Sequence, residues 1–105
     1  MVSIKWLTKA RASLKEIAEY YKKEYSEQSA KKIVSQIRTA VDKLKDFPEL
    51  AAIEPLLEDM PKTFRSLVVA KNYKVVYYID SDIVYISRIW DCRQSPETNV
   101  KKIKE

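Results

Sequence analysis

TFRSLVVAKNYKVVYYIDSDIVYISRIW, residues 63–90, decides the fold. The stretch breaks into three apolar runs, 63–70, 72–80 and 82–90, all rich in Val, Ile and Tyr, the residues that fit a pleated surface. Lys71-Asn72 and Asp80-Ser81-Asp82 separate them, short enough for two successive hairpins. Asn and Asp stand there in place of Gly, because they tolerate left-handed backbone best among the other residues. In the middle run, Val76 and Tyr78 share one face, and Tyr73, Val75, Tyr77 and Ile79 share the other. Apolar residues on both faces predict a central strand.

Upstream, Val2, Ile4 and Trp6 alternate with Ser3 and Lys5, a short strand over 2–6. Thr8 is placed to cap a helix whose stripe runs Leu7, Ala10, Leu14, Ile17, Ala18, Tyr21, Tyr25 at three- and four-residue steps. Ser26 ends that helix and caps a second, with stripe Ala30, Ile33, Val34, Ile37, Ala40, Val41, Leu44, Phe47 and a stop at Pro48. A connection this short makes an antiparallel helical hairpin, with Ile17 and Ile37 expected to be buried against the sheet. Residues 48–62 carry Pro48, Pro55 and Pro61, so they form a loop with at most a helical turn, tethered by Leu50, Ile53, Leu56, Leu57 and Met60. Downstream, Ser95, Pro96 and Glu97 are a cap, a first-turn proline and a first-turn acid for a short terminal helix. The order is β-α-α-β-β-β: an α+β domain spanning 1–105, with a helical hairpin on one face of a four-stranded, mainly antiparallel sheet.

The 105 residues include no His and no Gly, and a single Cys. Imidazole bases, Gly-dependent phosphate loops, disulfide frameworks and Cys/His zinc sites are thereby excluded, and no cofactor or metal is expected. Chemistry falls to Lys, Arg, Tyr, Ser, Asp and Glu. The net charge is +5, unevenly placed: residues 48–61 hold four acids and no base. A basic chain suits a polyanionic or acidic partner, although a lysine-rich surface also serves solubility. No apolar run is long enough to span a bilayer, and the N-terminus has no signal-peptide core, which predicts a cytoplasmic, reduced protein with no membrane partner.

Four stretches in order carry a family resemblance. A helix reading LTKARASLKEIAEYY follows a short first strand; a second helix ends LKDFPEL; FRSLVVAKNYKVVYYI is an arginine-led strand with a tyrosine-rich hairpin; ISRIWDCRQSPE is a last strand with an arginine-bearing exit. Together, over about residues 1–97, they resemble the RelE/ParE superfamily of toxins from bacterial type II toxin–antitoxin (plasmid stabilisation) modules. The resemblance implies a cognate antitoxin, a small and often acidic protein. It also implies growth inhibition: by ribosome-dependent mRNA cleavage, in which a 2′-hydroxyl attacks the neighbouring phosphate, or alternatively by ParE-like inhibition of DNA gyrase without nuclease activity. A degenerate relative that only binds its antitoxin is the third alternative. Enzyme status therefore stays open, with the ribosome and mRNA or DNA gyrase as target.

For the nuclease alternative the resemblance matches Arg65, Lys74 and Arg93 to catalytic basic positions, with Lys62, Lys71 and Arg88 as further RNA-binding cations. Leu67 stands at a second basic position, Asn99 at a C-terminal tyrosine position, and Asp91 where many relatives carry histidine. A fixed guanidinium stabilises the charge that a phosphate gains in its transition state. The plainer alternative pairs Arg93 with Asp91 and Lys74 with Asp80 or Asp82. Arg88, expected on a face with Val84, Ile86 and Trp90, points to an open face or an internal pair, since a buried unpaired guanidinium is too costly. Tyr73, Tyr77, Tyr78 and Tyr85 suit stacking on bases, but packing is the commoner use. Cys92 lies beside Arg93, a neighbour that lowers a thiol pKa, yet lacks a base.

Overall fold

The structure is a computed structural model and describes residues 2–104. β1 (Ser3–Trp6) leads into α1 (Thr8–Glu24) and α2 (Glu27–Asp42), the latter extended by a 3₁₀ turn, Lys43–Lys45. A long loop with a second 3₁₀ turn, Pro55–Leu57, reaches β2 (Arg65–Val69), β3 (Tyr73–Asp80), β4 (Ile83–Asp91) and α3 (Pro96–Lys104). The sheet order is β1-β4-β3-β2. β2, β3 and β4 form the expected antiparallel meander, and β1 closes the sheet by pairing parallel to β4, Ser3 opposite Ile83 through Trp6 opposite Ile86. The helical hairpin carries the chain from β1 across the sheet to β2 at the opposite edge, and the meander then brings β4 back beside β1 in the same direction.

β3 is the hinge of two cores. Val75 and Tyr77 are fully buried beneath Ala10, Leu14, Ile33, Ile37, Val41 and Leu44 of the hairpin. Val76, equally buried, faces the other way, into a smaller core with Leu57, Phe64 and Trp90, against which Val100 and Ile103 of α3 pack. Alternation along one strand thus feeds both layers. Ser26 caps α2 by accepting the Ser29 N–H at 3.0 Å, and Ser95 caps α3 by accepting the Thr98 N–H at 3.2 Å, each satisfying a first-turn donor.

Several expectations are corrected. Thr8 is the first helical residue, not the cap; Leu7 takes the cap position without a side-chain bond. Ile17 is only partly buried, because it borders the open cleft beside α1, whereas Ile37 is fully buried in the core. Phe47 lies beyond the last helical turn and is 64% exposed. Leu50, Ile53 and Leu56 face solvent too; the loop is held by Ala51, Glu54 and Leu57. In the β2–β3 hairpin the left-handed residues are Ala70 and Lys71, not Asn72; the β3–β4 turn uses Ser81 and Asp82. Ser87 has no partner across the ladder, where the pairing shifts from Arg88–Val76 to Ile86–Tyr77. This bulge turns Arg88 onto the face of Val76 and Trp90, away from Val84 and Ile86.

Candidate functional site

The last strand delivers Asp91 opposite Tyr73, and the chain then turns so that Arg93 folds back on both. The Arg93 guanidinium grips Asp91 with two prongs, Nε to Oδ1 and Nη2 to Oδ2, both at 3.0 Å, and its backbone N–H donates to Oδ1 at 2.9 Å. Nη2 also donates to the Tyr73 hydroxyl at 3.2 Å, and the cation lies 5.8 and 6.0 Å from the Tyr73 and Tyr20 ring centres. These residues border a cleft of about 550 Å³ with Arg88 and Lys102 at its sides.

The electrostatics move each of the three groups away from its ordinary range. Pairing with Asp91 raises the Arg93 pKa further above its already high value. Burial works to raise the Asp91 pKa, but the Arg93 side chain and backbone N–H outweigh it and hold the carboxyl below its usual range. Burial, with the Tyr21 hydroxyl next, keeps the Tyr73 phenol well above its ordinary value. A low-pKa carboxylate and a high-pKa phenol are a poor acid–base couple near neutral pH.

The other two matched cations are tied to the loop before β2. The Arg65 Nη1 donates to the Ala51 carbonyl at 2.7 Å. The Lys74 ammonium meets Glu54 Oε1 at 2.9 Å, and not Asp80 or Asp82. Glu54, only 1% exposed, also accepts the Ser66 hydroxyl at Oε1 and the Leu56 N–H at Oε2, each at 2.9 Å. Burial raises the Glu54 pKa, but the Leu56 N–H, Lys74 and Ser66 together bring it below the carboxylate norm.

The three do not converge. Lys74, opposite Trp90, projects to the α3 face, whereas Arg65, opposite Tyr77, lies on the hairpin face. Arg65 and Arg93 are there separated by the four residue steps from Tyr73 to Tyr77, about 13 Å of strand. Lys62 sits over the Tyr78 ring at 4.7 Å, Lys71 is at the exposed tip of the β2–β3 hairpin, and Arg88 lines the cleft beside Arg93. Of these six cations, only Arg88 and Arg93 line the same cleft. Burial raises the Cys92 pKa and outweighs the opposing influence of Lys74, so the thiol is not activated. Among the described residues no three His, Cys, Asp or Glu side chains are grouped to hold a metal ion. None of them forms a helix long and apolar enough to cross a membrane. Glu54 is the structural centre that the sequence reading missed. Its signal was its step of three from Ala51 and Leu57, the two residues the loop turns inward.

The profile of the family described as ParE toxin of type II toxin-antitoxin system, parDE, matches residues 4–96. Toxin RelE2 of Caulobacter vibrioides (strain ATCC 19089 / CIP 103742 / CB 15) is 30% identical over 89 residues, covering 85% of this chain and 93% of that protein. A solved structure described as the chromosomal ParDE TA system from P. aeruginosa superposes with a TM-score of 0.74 at 26% identity, covering 87% of this chain and 96% of that one.

Proposed function

The chain belongs to the ParE toxin family and is the toxin of a type II toxin–antitoxin system, and from that premise we propose that it arrests growth by binding its target, with no bond broken. A toxin of this class implies a cognate antitoxin. One observation carries the binding reading: Arg65, Lys74 and Arg93 are each engaged by the chain itself and stand on two faces of the sheet. Transition-state stabilisation asks for donors aimed at one point and free to meet the ligand. The target in this reading is DNA gyrase, as in the ParE-like branch, reached in the cytoplasm. A second reading, mRNA cleavage, draws on the likeness to Toxin RelE2 and on Arg93 facing a cleft beside Arg88.

Expression without the antitoxin separates the two. The expected result is growth arrest with intact mRNA and inhibited supercoiling by purified gyrase. Cleaved ribosome-bound mRNA with supercoiling unaffected would reverse the assignment.

A further inference from the structure

The loop from Phe47 to Met60 winds across the molecule with a period of three. Ala51, Glu54 and Leu57 turn inward and are at most 6% exposed. Phe47, Leu50, Ile53 and Leu56 turn outward and are 64%, 52%, 48% and 42% exposed. A three-residue period suits backbone broken by prolines, whose extended and 3₁₀ forms both repeat at three. The result is a row of large apolar side chains offered to solvent, where a monomer usually scatters them singly.

This row is held in place. Tyr77 donates its hydroxyl to the Pro48 carbonyl at 2.8 Å, Arg65 holds the Ala51 carbonyl, and Lys74 and Ser66 hold Glu54. Ile53 pairs with Arg65 outside the named strands. Arg65 and Lys74, two of the three cations that fail to form a catalytic cluster, are struts under an apolar ribbon. A surface fixed in advance loses little entropy on binding, which is what an affinity surface requires.

The charge around the ribbon selects the partner. Residues 46–61 contain acids and no base, in a chain of net charge +5. Asp59 is paired with Lys104, while Asp46, Glu49 and Glu58 form no salt bridge among the described residues. An acidic rim repels a phosphate backbone, so the occupant is not a nucleic acid. We propose that the Phe47–Leu56 ribbon is the surface by which this toxin grips its protein target, at an apolar hollow rimmed by Lys and Arg. The proposal rests on the binding reading above and names the part of the toxin that does the binding.

Two variants test it: Phe47→Ser with Leu50→Ser, and Glu49→Lys with Glu58→Lys, the second confined to exposed charges so that folding is spared. Each is compared with wild type for growth arrest, rescue by the co-expressed antitoxin, thermal melting, oligomeric state and affinity for purified DNA gyrase. The expected result is normal melting, lost arrest and binding weakened about tenfold or more. Wild-type binding should also weaken as salt rises, and the charge-reversed variant should lose that dependence. Undiminished arrest by both variants overturns the proposal. So does arrest that persists while antitoxin rescue is lost, which would make the ribbon the antitoxin's surface. A wild-type dimer made monomeric with arrest unchanged also overturns it, by seating a second copy there. If wild type arrests growth yet never binds gyrase, the gyrase reading fails alone, and the growth comparison still decides the ribbon.

Discussion

Glu54 shows how one buried charge is made tolerable. Its carboxylate loses water but gains an ammonium, a hydroxyl and a backbone N–H, and the sum favours the ionised form. Glu54→Ala should destabilise the fold by about 2–3 kcal/mol, less than for a fully buried pair because the Lys74 side chain remains 31% exposed. The pKa is depressed in the folded state, so this stability is complete above the ordinary value of 4.5 and is lost as pH falls below it. Thermal melts from neutral to acid pH should show a steeper decline for wild type than for Glu54→Gln. Arg93 is the contrasting residue. Its bond to Asp91 is well formed but lies at the surface, with 47% of the arginine side chain exposed. Arg93→Lys and Arg93→Ala should therefore cost less than about 1 kcal/mol and leave growth arrest intact. Loss of arrest at unchanged melting temperature would return Arg93 to the functional surface.

Among the elements, the two hairpin turns carry the cost of a chain without glycine. Ala70, Lys71, Ser81 and Asp82 have φ of 52°, 66°, 51° and 63°, the left-handed region that a Cβ disfavours. Ser81 and Asp82 form the two-residue turn whose twist suits a hairpin, and Asp is among the residues that bear it best. Ala70 has no polar side chain to compensate. Ala70→Gly should raise stability by up to about 1 kcal/mol, relief of strain being partly offset by the more flexible unfolded chain. Denaturant melts check this, and a loss of stability would show that the turn is unstrained. The bulge at Ser87 is the other element-scale device, since it assigns Arg88 to the α3 face.

At the scale of the molecule, stability is concentrated where the hairpin crosses the sheet. Ile37 has no exposure, and Ile37→Ala should cost about 2–5 kcal/mol. Ile17, packed at the margin of the same core, should cost about half as much when cut to Ala. Equal losses at the two sites would mean that the cleft beside α1 closes more tightly than its geometry indicates. The charge is arranged at the same scale: a basic body carries one acidic, apolar ribbon, and the two offer contrasting surfaces to partners of opposite character.

The residues near one another in sequence determined the elements. Val, Ile and Tyr runs made three strands, Ser26 and Ser95 marked two helix starts, and Pro48 lay past the end of α2, because caps, periodicity and proline stops act within a few residues. The antitoxin-linked family was legible too, as an ordered set of such local features. Tertiary structure alone decided that β1 runs parallel to β4 and that a bulge redirects Arg88. It also decided that Lys74 finds its counter-ion twenty residues upstream in Glu54. Each of these depends on which distant segments share an edge or a face, and that is set by the competition of the whole chain for burial and pairing. Charge and residue type marked Arg65, Lys74 and Arg93 as candidates; only the assembled sheet determined which face each one took and what it bound.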